Sequence, residues 1–224
     1  MTVRIGVVVF PGTNCELDVV WAVEELGATA ELLWHGDRTV SGVDAVVVPG
    51  GFAHGDYLRT GAIARFSPVM EAVAEHAAEG GPVVGICNGF QVLTEAGLLP
   101  GALQKNAGLT FVCDTVELEV VSTRSVLTNR ATVGAVLRIP INHFEGNYIC
   151  DAATLRQLQD DVRIVVRYVR NPNGSLDDIA GISNAVGNVV GLMPHPERAS
   201  SLLLGSADGV VLLQSLLDAA TARV

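Results

Sequence analysis

The segment PVVGICNGFQ, residues 82 to 91, indicates the fold of this chain of 224 residues. Pro82 to Ile86 is apolar or small throughout, which is typical of a parallel strand covered on both faces. A run with helical spacing begins directly afterwards at Asn88 and is ended by Gly97. A buried strand that turns at once into a helix is the repeating unit of a parallel α/β sheet, and the segment therefore predicts an α/β fold.

The same alternation of strands and helices extends from this segment to the N-terminus. The predicted strands are Val3 to Phe10, Ala30 to Trp34 and Asp44 to Val48, and the predicted helices are Glu16 to Leu26 and the segment from Ser67-Pro68 to Gly80. Ser67 is a capping residue, and Pro68 suits the first turn of a helix. In the first helix, Leu17, Val20 and Val23 are expected on the buried face, with Trp21 as a further candidate. Short connections between such elements predict an open, mostly parallel sheet flanked by helices.

Residues 112 to 186 have a different pattern, in which no strong helix separates the strands. The strand-like segments are Val116 to Val121, Val136 to Ile139 and Arg163 to Val169. They predict a mixed or antiparallel extension of the sheet. Val189 to Met193 again has the pattern of a buried parallel strand. Asp208 opens a last helix, whose core side is expected to carry Leu212, Leu213, Leu216 and Leu217. Since no linker or internal repeat interrupts the chain, residues 1–224 are expected to form a single domain.

The composition excludes several classes of function. The chain has 24 acidic and 14 basic side chains, and its net charge of −10 argues against binding to nucleic acid. No apolar run reaches the ~18 residues of a membrane-spanning helix, and the start lacks the long apolar region of a signal peptide. The four cysteines, Cys15, Cys87, Cys113 and Cys150, form no CxxC pair and are expected to be free thiols in a reducing cytoplasm. The spacing of histidines and cysteines does not indicate a metal site.

Gly85-Ile86-Cys87-Asn88-Gly89 has the G-x-nucleophile-x-G pattern of a nucleophile elbow, with cysteine in the place of serine. The glycines allow the strand to turn sharply into the helix, where side chains would clash with neighbouring backbone. Cys87 would then lie at a helix N-terminus, where the helix dipole and the unpaired amides favour a thiolate. The alternative is a small buried cysteine in a glycine-rich turn.

An activated thiol needs a base and a group that orients the base. Among five histidines, His195 is the best candidate because it follows a buried strand, in Met193-Pro194-His195-Pro196-Glu197-Arg198. The prolines disfavour a helix there, and in an extended segment His195 and Glu197 project to the same side. Glu197 would then hold the imidazole in one tautomer and stabilise its cation. The alternative is a loop histidine between turn-forming prolines; His35 is expected to be structural and His76 to be a solvated surface residue.

A tetrahedral intermediate on Cys87 needs an oxyanion hole. One donor is expected to be the amide of Asn88, the residue after the nucleophile. The second is expected at Gly51 in Val48-Pro49-Gly50-Gly51, where glycine permits backbone angles that aim an amide inward. The alternative is an ordinary glycine turn.

These segments together resemble the triad-type, class I glutamine amidotransferases, which use Cys, His and Glu. The resemblance covers residues 5 to 198, most of the chain. Its motifs are Pro11 to Glu16, Gly50 to Tyr57, Gly85 to Gln91 and Met193 to Arg198, and Asn142 to Tyr148 is similar to the family's H-x-E-G stretch. The resemblance implies a flavodoxin-like sheet and cleavage of the glutamine side chain through a γ-glutamyl thioester on Cys87. Gln91 would help to hold L-glutamine, the alternative being a polar residue on an exposed helix face.

The resemblance also implies partners. Ammonia released here would pass to a large ATP-dependent synthetase subunit, and a small accessory subunit would help to assemble the complex. ATP and Mg²⁺ are expected on the synthetase, because this chain has no G-x-x-x-x-G-K-[ST] loop and its one lysine, Lys105, follows no glycine-rich turn. Three alternatives stay open: an amidotransferase subunit of a different pathway, a related cysteine hydrolase or peptidase, and a non-catalytic scaffold. The set of Cys87, His195 and Glu197 speaks against a scaffold.

Overall fold

The computed structural model describes residues 2–222 of the chain. Its strands are, in chain order, β1 (Arg4–Val9), β2 (Thr29–Trp34), β3 (Ala45–Val48), β4 (Val83–Ile86), β5 (Ala102–Gln104), β6 (Val112–Val120), β7 (Val136–His143), β8 (Asn147–Ile149), β9 (Ile164–Tyr168), β10 (Ile179–Ser183) and β11 (Val189–Leu192). Its α-helices are α1 (Glu16–Glu25), α2 (Pro68–Ala78), α3 (Asn88–Glu95), α4 (Ala152–Asp160) and α5 (Val210–Thr221).

Nine of these strands form one sheet in the order β2-β1-β3-β4-β11-β10-β9-β6-β7, and β5 and β8 form a separate antiparallel pair. Neighbouring strands are parallel from β2 to β11 and antiparallel from β11 to β7. We call β1 to β4 and β11 the parallel half, and β6, β7, β9 and β10 the antiparallel half. The predicted fold class, an open α/β sheet with an antiparallel extension, is confirmed.

The parallel half is covered closely by its helices. β3 and β4 are buried at every position, as the continuous apolar runs predicted. α3 lies so close to β3 that a Cβ on Gly89 would come within 1.8 Å of the carbonyl oxygen of Val48. Only glycine at this position allows the helix to pack against the strand at this distance.

The antiparallel half contains a helix that the sequence pattern did not predict. The expectation that no strong helix lies between residues 112 and 186 is wrong, because α4 occupies this region. Its N-terminus is capped by Asp151, whose carboxylate accepts a hydrogen bond from the amide of Thr154 at 2.7 Å. Within α4 only Leu158 is buried. The helix lies at the surface, and its apolar face consists mainly of Leu155 and Leu158, which is too short a pattern to identify a helix with certainty from the sequence.

The first helix also differs from the prediction. Leu17 was expected on its buried face, but its side chain is 63% exposed. The buried positions are Val19, Ala22 and Val23. The small side chain of Ala22 completes this face, whereas the larger apolar side chain of Leu17 points away from the sheet.

The last helix, α5, buries Leu212, Leu213, Leu216 and Leu217, as predicted. It begins at Val210, two residues after the expected start at Asp208. None of the helices in residues 2–222 combines the length and the hydropathy that crossing a bilayer requires.

Candidate active site

Four connections meet at the end of the parallel half where its strands finish. They follow β1, β3, β4 and β11 and carry Cys15, Gly51, Cys87 and His195, respectively. All four residues line one cavity of about 280 Å³. Open α/β sheets bind ligands at the carboxyl ends of their strands, which makes this cavity the candidate active site. A wider groove of about 760 Å³ beside α5 has no cysteine or histidine among the described residues that line it.

Cys87 occupies the sharp turn between β4 and α3. Its φ of 51° is a left-handed value that residues with a side chain rarely adopt, and such strain is typical of a nucleophile elbow. Its amide donates to the carbonyl of Leu192 at 2.8 Å, which ties the turn to the end of β11. A Cβ on Gly85 would lie 2.7 Å from backbone atoms of Gly89. The turn therefore requires both glycines of the motif.

His195 and Glu197 form a buried hydrogen-bonded pair. Nδ1 of His195 lies 2.6 Å from Oε1 of Glu197, and each residue is only 1% exposed. The backbone between them is not extended as predicted, because Pro196 begins a 3-10 turn over Pro196–Ala199. Proline is well tolerated in the first turn of a helix, where its missing N–H has no acceptor to lose. The turn still brings the two side chains together.

The surroundings of His195 favour its protonated form. Burial alone would lower the pKa, but the negative charges of the Glu197 carboxylate and of a Cys87 thiolate outweigh it, and the pKa of His195 is well above its ordinary value. Nε2 of His195 is buried and has no hydrogen-bond partner in the described part of the chain. Because Glu197 occupies Nδ1, Nε2 is the atom that can exchange a proton with Cys87 or with a substrate.

The two predicted oxyanion donors lie beside Cys87. Gly51 lines the cavity, and Asn88 begins α3, where an amide has no acceptor within its own helix. Gly51 has a φ of +147°, and a Cβ there would lie 2.8 Å from the amide nitrogen of Asn14. The position therefore requires glycine. The assignment of both amides to the oxyanion hole remains a prediction.

Gln91 also lines the cavity, but both ends of its amide already have partners. Its Oε1 accepts from Nδ2 of Asn88 at 2.8 Å, and its Nε2 donates to the main-chain carbonyl of Glu145 at 2.5 Å. Gln91 is 4% exposed, so it is not a polar residue on an exposed helix face. These two bonds make Gln91 a brace between α3 and the turn after β7. Its direct contact with glutamine remains a prediction.

Cys15 and Arg198 lie beside the buried pair, although neither had a predicted role. Sγ of Cys15 accepts from Nη2 of Arg198 at 3.2 Å, and Nε of Arg198 donates to Asp18 at 3.0 Å. Ligand atoms of Cys15, His195 and Glu197 lie within 4.8 Å of one another, which is close enough to hold a metal ion. The hydrogen bond between His195 and Glu197 fits an oriented base better. Cys15 and Arg198 lie within two of the motifs quoted above. Only this position in the sequence could have indicated that they belong to the site.

His143 is a neutral buried histidine in the wall of the cavity. Its Nδ1 lies 3.1 Å from Oδ1 of Asn106, an oxygen that can only accept, so Nδ1 carries the proton. Burial, and secondly the charge of His195, lower the pKa of His143 to about 4. The motif from Asn142 to Tyr148 had contained this histidine without giving it a role.

The remaining histidines lie outside this cavity. His35 and His54 pack edge to face with ring centroids 5.2 Å apart, and Oγ of Ser67 lies 3.4 Å from a ring nitrogen of each. His76 is half-buried rather than solvated as expected. Gly81 packs directly against its ring, since a Cβ on Gly81 would lie 2.2 Å from it.

Comparison with known proteins gives consistent matches over most of the chain. Residues 2–207 match the CobB/CobQ-like glutamine amidotransferase domain family. Two similar relatives are named phosphoribosylformylglycinamidine synthase subunit PurQ. The one from Parasynechococcus marenigrum is 57% identical over 215 residues, which cover 96% of this chain and 99% of the relative. The one from Rubrobacter xylanophilus is 55% identical over 217 residues, which cover 97% and 99%.

Solved structures show the same likeness. A chain in the structure of PurLQS from Thermotoga maritima is 42% identical with a TM-score of 0.90, and the match covers 97% of this chain and 99% of that one. A Thermoplasma acidophilum chain described as a subunit of GMP synthase is 15% identical with a TM-score of 0.72, covering 100% and 96%. The second likeness is one of fold alone.

Proposed function

The chain belongs to the CobB/CobQ-like glutamine amidotransferase family, and we propose that it is the glutaminase subunit of a phosphoribosylformylglycinamidine synthase. The observation that carries the proposal is the strained Cys87, with a φ of 51°, in one cavity with the buried His195 and its partner Glu197. The names of the relatives that span nearly the whole chain support the choice of pathway.

The residues of the cavity suit a thioester mechanism. The thiolate of Cys87 attacks the side-chain carboxamide carbon of glutamine, and the negative charge that develops on the carboxamide oxygen is received by the amides of Gly51 and Asn88. As the C–N bond breaks, Nε2 of His195 gives its proton to the leaving nitrogen, so that ammonia departs and a γ-glutamyl thioester remains.

The second half of the reaction regenerates the site. Neutral His195 takes a proton from a water molecule that attacks the thioester carbon. The C–S bond then breaks, which releases glutamate and restores the thiolate of Cys87 and the protonated His195. Throughout, the 2.6 Å bond to Glu197 keeps Nε2 directed at the reacting atoms.

The ammonia passes to a large synthetase subunit. That subunit uses ATP and Mg²⁺ to convert formylglycinamide ribonucleotide to formylglycinamidine ribonucleotide in purine biosynthesis. A small accessory subunit assists assembly of the complex, which acts in the cytoplasm. The likeness to a chain of the PurLQS structure supports a multi-subunit complex. The absence of a phosphate-binding loop from this sequence supports placing the ATP step on the partner.

A single variant tests the proposal. Cys87→Ala, assayed with the synthetase and accessory subunits, is expected to lower glutamine-dependent synthesis by about 10³-fold or more while ammonia-dependent synthesis persists. Cys113→Ala, which removes an exposed thiol, serves as the matched control. Loss of both activities in Cys87→Ala would mean that Cys87 serves assembly rather than glutamine cleavage. Glutamine hydrolysis by the wild-type complex without formation of the amidine product would place the chain in a different pathway.

A further inference from the structure

Cys15 is a buried cysteine that the mechanism of glutamine cleavage leaves without a role. It lines the same cavity of about 280 Å³ as Cys87, and both thiols are free. Cys113 and Cys150 are not among the described residues that line this cavity. Covalent catalysis needs one thiol, so the site contains a second thiol that its chemistry does not require.

The two cysteines lie on either side of Gly50. A Cβ on Gly50 would lie 3.1 Å from Sγ of Cys15 and 3.5 Å from Cβ of Cys87. Because glycine has no Cβ, no side chain stands between the two cysteines. A disulfide joins Cβ atoms that are about 4 Å apart. Rotation of the two side chains into the space beside Gly50 therefore brings their sulfur atoms within bonding reach.

The backbone keeps the two cysteines in this arrangement. The amide of Cys15 donates to the carbonyl of Gly50 at 3.2 Å, which ties Cys15 to the connection that follows β3. Cys87 directly follows β4, and β4 pairs with β3 in parallel register. Because neighbouring strands fix both connections, the two thiols face each other as a property of the fold.

The surroundings of both sulfur atoms suit redox chemistry. Nη2 of Arg198 donates to Sγ of Cys15 at 3.2 Å, and a cationic donor stabilises negative charge on sulfur. A ring nitrogen of His195 lies within 4.8 Å of the same Sγ. Cysteines that sense oxidants are commonly thiolates with a second, resolving thiol beside them. Cys87 is the thiolate of the proposed mechanism, and Cys15 is the thiol beside it.

We propose that a hydroperoxide converts Cys15 and Cys87 into a reversible disulfide that switches off glutamine cleavage. The inference rests on the proposed function for the reactive state of Cys87 and adds a modification site to it. A disulfide removes the nucleophile but returns to two thiols under a reductant, whereas oxidation of Cys87 to a sulfinic acid is irreversible under the same reductant. Disulfides in a reducing cytoplasm are usually transient and catalytic or redox-sensing.

The reaction has two steps. The thiolate of Cys87 attacks the peroxide, the O–O bond breaks, and an S–O bond forms to give a sulfenic acid on Cys87. Protonated His195 supplies the proton with which the second oxygen leaves, as water in the case of hydrogen peroxide. The thiol of Cys15 then attacks the sulfur of the sulfenic acid. The S–O bond breaks, and the departing hydroxide takes the thiol proton and leaves as water. Sulfur is oxidised by two electrons in all, and the peroxide is reduced by two.

Peptide mapping of the full chain tests the linkage. Trypsin cleaves after lysine and arginine and places each of the four cysteines on a separate peptide, with Cys15 in residues 5–38 and Cys87 in residues 66–105. After treatment with hydrogen peroxide and blocking of the remaining thiols, mass spectrometry without reductant should find these two peptides joined with the loss of two hydrogen atoms. Absence of this linked pair, or linkage of Cys87 to Cys113 or Cys150 instead, would overturn the inference.

Reversibility is tested in the assembled complex, with glutamine-dependent synthesis expressed relative to ammonia-dependent synthesis of the same sample. Peroxide should abolish this ratio in the wild type, and dithiothreitol should restore about 80% of it. In Cys15→Ser, dithiothreitol should restore about 10% or less, because Cys87 without a resolving thiol proceeds to the sulfinic acid. Cys113→Ser, which removes an exposed thiol, should recover as the wild type does. Each variant is compared with its own activity before peroxide.

Each outcome of the activity test decides the matter. Full recovery in Cys15→Ser, or a loss in the wild type that dithiothreitol does not reverse, would contradict a resolving role of Cys15. If Cys15→Ser fails to fold, the linked peptides of the wild type alone decide. A wild-type complex that does not cleave glutamine before oxidation would instead contradict the proposed function, so the two failures are distinguishable.

Discussion

The parallel half and the antiparallel half contribute to the cavity in different ways. In the parallel half, two central residues of the cavity lie directly after strand ends, as Cys87 follows β4 and Gly51 follows β3. In the antiparallel half, the contributing residues lie at the end of β7, whose position depends on its pairing with β6 over eight residues from each strand. The residues of the parallel half are therefore positioned by the local geometry of the chain. Those of the antiparallel half are positioned by the pairing of β7 with β6.

The two halves are joined at the cavity by direct hydrogen bonds. The amide of His195, after β11, donates to the carbonyl of Pro140 in β7 at 2.8 Å. Nε2 of Gln91, in α3, donates to the carbonyl of Glu145 after β7. Both bonds involve residues next to the reactive groups. We infer that the parallel half supplies the reactive side chains and that the antiparallel half fixes their positions. Three predictions test this division.

The largest effect is expected from Glu197→Gln. The variant keeps the size of the side chain but removes the charge that raises the pKa of His195. The imidazole then loses its stabilised cation, and kcat for glutamine cleavage should fall by about 10³-fold. Steady-state kinetics of the complex measures this fall, with Glu119→Gln, an exposed glutamate of β6, as the control for charge. A decrease of less than about 10-fold would mean that His195 is oriented by other contacts.

Two glycine substitutions, one in each half, test how closely the two halves are packed through their effects on the free energy of unfolding. In Gly89→Ala, the new Cβ would lie 1.8 Å from the carbonyl oxygen of Val48, so α3 must move away from β3. We expect a loss of about 3 kcal/mol in the free energy of unfolding. Gly134, in the connection before β7, has a φ of +83° and no atom within 4 Å of an added Cβ. Gly134→Ala should cost only about 1 kcal/mol, from its left-handed backbone.

Denaturant unfolding of the two variants measures both values. Equal losses would show that backbone strain alone, rather than the close approach of α3, governs the cost at Gly89. A loss confined to Gly134→Ala would reverse the comparison and make the antiparallel half the more tightly constrained of the two.

The same division explains what the sequence could predict. The sharp turn at Cys87 could be predicted because its glycines form a local pattern. The pair of His195 and Glu197 could be predicted because the two residues are close along the chain. The pattern did not reveal the 3-10 turn at Pro196, because proline favours both extended backbone and the first turn of a helix. The sequence did not reveal the surroundings of Asp56, whose pKa is raised to about 6 by burial and secondly by the charge of Glu145, a residue far away in the sequence. No local pattern encodes such a meeting across the cavity.

The smallest effect concerns His143, where the antiparallel half contacts the reactive groups. Its pKa is lowered from 6.5 to about 4 by burial and by the charge of His195, so the folded chain keeps this ring neutral while the unfolded chain accepts a proton. Unfolding therefore becomes easier as the pH falls below about 6.5, and the penalty stops growing below about pH 4. Between about pH 7 and pH 5.5 it amounts to ~1 kcal/mol.

His143→Asn keeps a donor for Asn106 but cannot take up the proton. The variant should lose about 1 kcal/mol less than the wild type when the pH is lowered over that range, as measured by denaturant unfolding at each pH. The opposite dependence is expected from Asp56, whose raised pKa makes the folded chain the better proton acceptor as the pH falls through about 6. Because Asp56 is present in both proteins, the difference between variant and wild type isolates the contribution of His143. An identical pH dependence in the two proteins would show that the ring of His143 is as accessible to protons in the folded chain as in the unfolded one, and that the antiparallel half does not seal this wall of the cavity.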